Sequence, residues 1–134
     1  MADTANPPEV TDTIVPYLTV KDPDALMDFL KTVFDATVVK ENRHADNTLQ
    51  HARMAIGNSL IMMNEASETY PPNVSQLHVL VEDCDAVYAL SLKWGATSIM
   101  APNLRPHGDR MAGIKDLCGN LWWIASHPTS DRAG

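Results

Sequence analysis

The chain contains 134 residues, of which 45% are hydrophobic and 20% are charged, a composition that indicates one globular domain. Lysine and arginine number 10 against 17 aspartates and glutamates, so the formal net charge is −7. An acidic chain is repelled by phosphate backbones and anionic lipid surfaces, which argues against nucleic acid and membranes as partners.

The N-terminal segment, residues 1–11, is small, polar and proline-containing, and we expect it to be flexible. It has neither the basic start nor the apolar run of a signal peptide. No apolar stretch in the chain reaches the roughly 18 residues that a membrane-spanning helix needs. The 2 cysteines are too few for a secreted disulfide scaffold. The sequence thus predicts a cytoplasmic protein.

The first predicted strand alternates polar and apolar residues over Thr13–Val20. A helix follows, because Asp22 can cap its free amides and Pro23 suits its first position. Apolar residues then recur at helical spacing as far as Phe34. Three short strands come next, predicted at Thr37–Glu41, Leu49–Ile56 and Ser59–Asn64.

The second half of the chain has the same order of elements. A strand at Gln76–Val81 leads to a helix that Asp83 can cap, and Gly95 can end that helix in a left-handed conformation. Three more strands are predicted at Thr97–Ala101, Met111–Lys115 and Leu121–Ala125. Residues 129–134 are expected to be a flexible tail.

An internal repeat relates the two halves. Tyr17–Ala25 aligns with His78–Ala86 at an offset of 61 residues, and the stretch before the second strand aligns at an offset of 60. Arg53–Ala55 recurs as Arg110–Ala112 at the shorter offset of 57. We therefore expect one α+β domain over residues 12–128, built from two βαβββ modules at 12–66 and 75–127. A ferredoxin-like domain, the alternative, has too few strands.

Five segments carry a recognisable pattern in a fixed order. They are Thr13–Val20, His51–Ser59, Val81–Tyr88, Gly108–Arg110 and Asp116–His127. Together they resemble the PhnB-like branch of the vicinal oxygen chelate superfamily, which includes glyoxalase I, bleomycin-resistance proteins and ring-cleaving dioxygenases. The resemblance covers nearly the whole chain. It implies that the modules form a curved mixed sheet around a cleft and that the protein is a homodimer.

The resemblance also implies where a metal would bind. Metalloenzymes of the family take ligands from the first and last strands of each module, and those positions match Val15, Met63, Gln76 and Trp123. Valine and tryptophan offer a divalent ion no donor, and methionine and a neutral glutamine are poor ligands for it. We therefore expect no metal and no other cofactor.

Two interpretations in which the protein is an enzyme remain open. A relocated metal site could use His51, His78 and Glu65, although no recognised ligand spacing supports it. Alternatively, His78 or His51 could act without metal as a base that removes a proton next to a carbonyl group. Either reading would make the protein a lyase, an isomerase or a dioxygenase-type enzyme of the superfamily, while no catalytic residue is otherwise identified.

The reading we favour is a binding protein rather than an enzyme. It would hold a bulky small organic ligand, such as an antibiotic, in a cleft without metal. Large apolar side chains with a few directed polar groups are the usual lining of such a site. The residues expected to contact the ligand are Tyr17, His51, Arg53, Met63, Gln76, His78 and Trp123.

Overall fold

The computed structural model describes residues 12–128, so the segments predicted to be flexible, 1–11 and 129–134, lie outside the described residues. The order βαβββ occurs twice, as the sequence predicted. The elements are β1 (Tyr17–Val20), α1 (Pro23–Phe34), β2 (Thr37–Arg43), β3 (Leu49–Ile56), β4 (Ser59–Glu65), β5 (Gln76–Leu80), α2 (Cys84–Lys93), β6 (Thr97–Leu104), β7 (Arg110–Lys115) and β8 (Leu121–Ser126).

The chain divides into two compact units that do not follow the repeat in every respect. The first unit holds the described residues through Pro23 together with Asp35–Asn73. The second holds Asp24–Phe34 and the described residues from Val74 onward. Helix α1 therefore groups with the second unit, although along the chain it lies between two strands of the first.

The first unit contains a four-stranded sheet in the order β1-β4-β3-β2. Strand β1 runs parallel to β4, and the other neighbours are antiparallel. One face of this sheet is buried and apolar. Its fully or almost fully buried side chains are Leu18, Val20, Ala52, Met54, Ile61 and Met63. The other face carries the polar side chains and is called here the open face of the first unit.

Asn73 closes the free edge of β1. Its side-chain oxygen accepts a hydrogen bond from the Thr19 amide at 2.9 Å, and its Nδ2 donates to the Tyr17 carbonyl at 3.1 Å. The Asn73 amide also donates to the Thr19 carbonyl. Backbone groups at a sheet edge are otherwise open to pairing with another strand. Asn73 therefore makes hydrogen bonds to β1 that a neighbouring strand would otherwise make.

The second unit contains a four-stranded sheet in the corresponding order, β5-β8-β7-β6. Strand β5 is parallel to β8, and helix α2 lies against β6, β7 and β8. The predicted cap is present, because the Asp83 side chain accepts a hydrogen bond from the Ala86 amide. Neither described helix is long enough to cross a membrane, since α1 has 12 residues and α2 has 10.

Trp122 is the centre of the core in the second unit. Its ring lies 4.8 Å from that of Phe34 on α1, measured between centroids, and its indole nitrogen donates to Asp116 at 2.8 Å. Asp116 is itself 4% exposed and also accepts hydrogen bonds from the amides of Cys118 and Asn120. One carboxylate thus ties the β7–β8 turn to the core.

Candidate functional site

Four side chains form a row across the open face of the first unit. Tyr17 on β1 is paired with Met62, Met62 with Arg53, and Arg53 with Lys40 on β2. Residues paired directly across neighbouring strands point to the same face of a sheet. Tyr17 and Arg53, two of the predicted ligand contacts, therefore share a face.

His51 joins this row through a hydrogen bond with Tyr17. The tyrosine hydroxyl lies 3.0 Å from His51 Nδ1. Burial, followed by the positive charges of Arg53 and Lys40, lowers the pKa of His51 below its ordinary value. Burial and the proximity of Tyr70 raise the pKa of Tyr17. At neutral pH the pair is thus an uncharged phenol beside an uncharged imidazole, which can accept a proton.

Met63 does not face the same way as Tyr17, so the orientation predicted for it is wrong. It is paired with Leu18, and both side chains are completely buried on the apolar face. Met62 occupies the open face instead. Because side chains alternate along a strand, an error of one residue in register exchanges the two faces.

The orientation of Met63 was mispredicted because the turn before the last strand differs in length between the two units. In the first unit, Ile56 and Ser59 are paired across a turn of 2 residues. In the second, the Asp116 amide donates to the Asn120 carbonyl across Leu117, Cys118 and Gly119, one residue more. The offset between the units accordingly changes from 60 at Ala52 and Ala112 to 61 at Met63 and Ile124.

The repeat of Arg53–Ala55 as Arg110–Ala112 is not structural. Arg53 is paired with Met62, and the corresponding pair in the second unit is Gly113 with Trp123. Arg110 is paired with Ser126 near the end of β8. The second unit therefore has a glycine where the first has an arginine.

The open face of the second unit brings together Gln76, His78 and Trp123. His78 is paired directly with Trp123 across β5 and β8. The Trp123 indole nitrogen donates to Gln76 Oε1 at 2.7 Å. The indole also lies over Gly113, where a Cβ atom would be 2.5 Å from ring atom Cζ3. The common face predicted for these three residues is present, and their role in binding stays a prediction.

A pocket of about 890 Å³ in the first unit was not predicted from the sequence. Tyr17, Asn64, Glu65 and Tyr70 are among the residues that line it. Thr19 Oγ1 donates to Asn64 Oδ1 at 2.7 Å within this lining. Much of the wall comes from the segments after β2 and β4, which carry no periodic pattern. Two lining residues had a signal in the sequence, namely Tyr17, a predicted ligand contact, and Glu65, which was weighed as a metal ligand.

The residues at the metal positions implied by the resemblance do not fit a divalent ion. Corrected for the turn, these positions are Val15 and Met62 in the first unit and Gln76 and Trp123 in the second. They include no histidine, carboxylate or thiolate. Over residues 12–128, no group of three or more His, Cys, Asp or Glu side chains is placed to hold a metal ion.

Comparisons with known proteins agree with the fold. A family model described as "Glyoxalase/Bleomycin resistance protein/Dioxygenase superfamily" matches residues 11–124. An uncharacterized protein of Mycobacterium bovis is 27% identical over an alignment of 124 residues, and the match covers 84% of this chain and 82% of that protein.

Solved structures of other proteins have a similar fold. The crystal structure of TioX from Micromonospora sp. ML1 has a TM-score of 0.70 and 27% identity, covering 86% of this chain and 95% of that one. A PhnB protein from Bacillus cereus has a TM-score of 0.66 and 17% identity, covering 86% and 99% of the two chains, a likeness in fold alone. The α+β class and the resemblance predicted from the sequence are confirmed.

Proposed function

Because this chain belongs to the Glyoxalase/Bleomycin resistance protein/Dioxygenase superfamily, we propose that it binds a bulky small organic molecule without a metal. The observation that carries the proposal is the placement of Trp123 on the open face of the second unit. The family name includes bleomycin resistance, which suggests antibiotics as the first ligands to test.

Trp123 is held in a way that suits stacking. The hydrogen bond to Gln76 fixes one edge of the indole, and the absence of a side chain at Gly113 lets the ring lie against the sheet. The residue is only half-buried, so part of the ring remains accessible. An aromatic ligand that stacks on an indole gains about 0.5–1.5 kcal/mol beyond the apolar area that it buries.

Polar groups beside the ring would orient the ligand. His78 lies directly opposite Trp123 and is exposed, and Gln76 is exposed as well. A small number of hydrogen-bonding groups around a large apolar surface is the usual composition of a small-molecule site. We infer that this composition serves binding and that the protein is not an enzyme.

The proposed assembly is a homodimer in the cytoplasm. Two exposed leucines in the second unit support self-association, since Leu80 on β5 is 55% exposed and Leu104 on β6 is 69% exposed. Apolar side chains on edge strands are favourable contact points for a second subunit. Light scattering coupled to gel filtration tests the dimer, which a monomeric mass over the full concentration range contradicts.

A second candidate function follows from His51. Its lowered pKa keeps the imidazole neutral at pH 7, beside the hydroxyl of Tyr17. A neutral imidazole can remove a proton next to a carbonyl group, as in a lyase or isomerase reaction. Deuterium exchange at such a carbon of a ketoacid or hydroxyketone panel tests this activity, with His51→Gln as the variant that abolishes it.

Ligand binding is tested by titration with aromatic antibiotics, read by tryptophan fluorescence and calorimetry. Trp123→Leu removes the stacking surface, and we expect it to weaken binding by about tenfold or more. Trp94→Leu is the matched control, since Trp94 is 47% exposed at the end of α2. Equal losses in the two variants, or no binding across the panel, would contradict the proposal.

A further inference from the structure

Two cations lie directly opposite each other on the open face of the first unit. Lys40 on β2 and Arg53 on β3 are Cα partners in an antiparallel pair, so both side chains point to the same face. Like charges placed directly across a pair of strands destabilise a sheet. The pairing of Lys40 with Arg53 therefore lowers the stability of the sheet in the isolated protein.

No carboxylate offsets this charge within the described residues. Across residues 12–128, neither Lys40 nor Arg53 has an ion-pair partner within 4.0 Å. Other arginines differ, because Arg43 contacts Glu41 at 2.7 Å and Arg110 contacts Asp85 at 2.6 Å. In a chain whose net charge is −7, two adjacent unpaired cations on one sheet face are unexpected.

Besides Met62, the side chains near the two cations on this face include hydrogen-bonding groups without negative charge. His51 is paired with Asn42 on the same face, and its hydrogen bond to Tyr17 brings the phenol into the cluster. Burial, and after it the charges of Arg53 and Lys40, lowers the pKa of the His51 imidazole. A negatively charged group placed here meets these donors, and among the described residues no carboxylate lies within 4.0 Å of either cation.

We propose that Lys40 and Arg53 form a binding site for an oxyanion, the carboxylate or phosphate group of a small molecule. The guanidinium of Arg53 can bind two oxygens of such a group at once, because its donors form a planar fork. Lys40 adds a second positive charge, and the donors of Asn42 and Tyr17 lie on the same face. The bound anion relieves the repulsion between the two cations.

The anion site shares no residue with the stacking surface on Trp123. It lies on the first unit, whereas all 3 tryptophans are in the second. The two proposals can therefore fail separately.

The experiment is a titration of the full chain followed by ¹H–¹⁵N NMR, with shifts read at the amides of His51 and Arg53 and at Arg53 Nε. The probes are benzoate, phenyl phosphate and the neutral analogue benzamide, at low ionic strength. We expect saturable shifts with both anions, at millimolar affinity, and none with benzamide. Tighter binding of benzoate identifies a carboxylate site, and tighter binding of phenyl phosphate identifies a phosphate site.

The variants separate a built site from general charge. Arg53→Gln and Lys40→Gln each remove one cation and should weaken anion binding by about tenfold, as expected for a lost charge-assisted hydrogen bond. Lys93→Gln, at the end of α2, makes the same charge change elsewhere and should have little effect. Lys40 is exposed, so its variant keeps the test valid if Arg53→Gln does not fold.

Three results would each overturn the proposal. The first is the absence of saturable shifts with either anion. The second is binding of benzamide as strong as that of benzoate. The third is a loss of affinity in Lys93→Gln equal to that in Arg53→Gln, which would assign the effect to net charge alone.

Discussion

The indole of Trp123 occupies the space that a side chain at residue 113 would need. A Cβ atom on Gly113 would lie 2.5 Å from Cζ3 and 2.9 Å from Cε3 of the ring. Gly113 has no left-handed backbone conformation, so the glycine is explained by this close approach and not by the chain path. The ring and the glycine form one structural feature of the open face.

Gly113→Ala should displace the indole and destabilise the protein by about 1–3 kcal/mol, the usual range for overpacking. The shift should also break the hydrogen bond from Trp123 to Gln76 and change the tryptophan emission. Urea unfolding of the variant in the wild-type and Trp123→Leu backgrounds isolates the contact. An equal loss of stability in both backgrounds would show that the ring is not the cause.

Asp116→Ala should destabilise the protein by about 3 kcal/mol or more, because it leaves the Trp122 indole nitrogen and a buried amide without an acceptor. Asp83→Ala is the matched control, since it removes a carboxylate that caps α2 and should cost about 1 kcal/mol. Chemical unfolding measures both free energies. Similar values for the two variants contradict the role assigned to Asp116.

Asn73→Ala should open the edge of β1. The Thr19 amide loses its side-chain acceptor, so its hydrogen exchange should accelerate by about five- to tenfold, equivalent to roughly 1 kcal/mol. Asn64→Ala serves as the control, because the Asn64 side chain accepts from the Thr19 hydroxyl, whereas the Thr19 amide donates to Asn73. Unchanged exchange at Thr19 in the Asn73 variant is the outcome that refutes this interpretation.

The lowered pKa of His51 makes stability depend on pH in a defined direction. The unfolded chain takes up a proton at about pH 6.5, whereas the folded protein takes it up at a lower pH. The free energy of unfolding therefore decreases as the pH falls below about 6.5. This decrease ends once the pH is below the pKa of His51 in the folded protein. The difference between wild type and His51→Gln in unfolding free energy, measured against pH, should follow this course.

The same pKa responds to the neighbouring cations. Arg53→Gln removes a positive charge and should raise the midpoint of the His51 imidazole titration observed by NMR. Lys93→Gln changes the net charge equally at a remote position and should leave that midpoint in place. A midpoint that moves in both variants, or in neither, excludes the proposed influence of Arg53.

Local signals in the sequence were sufficient for the elements of the fold. Asp22 and Pro23 predicted the start of α1, which begins at Pro23, and β3 spans Leu49–Ile56 as predicted. Capping, helical spacing and alternation act over a few residues, so they can be recognised without knowledge of the tertiary structure. The grouping of α1 with the second unit depends on long-range packing and has no such local signal.

The face of β4 could not be predicted, for a physical reason. Leu60 to Met63 are all apolar, so alternation does not distinguish the buried side chains from the open ones. The register then depends on the length of the preceding turn, which differs by one residue between the units. For β8 the Trp122–Asp116 hydrogen bond marks the buried tryptophan, but a bond between side chains is not visible in the sequence.

The additional residue in the β7–β8 turn limits how the halves of this protein can be recombined. A chimera that joins strands of the two units at a constant spacing of 60 would turn its last strand over, exposing residues such as Met63 or Ile124 that are now fully buried. Exchange of complete hairpins, each with its own turn, keeps every face in place. Because the length of the turn determines which face of the last strand is buried, a complete hairpin can be transferred between the units, whereas a single strand cannot.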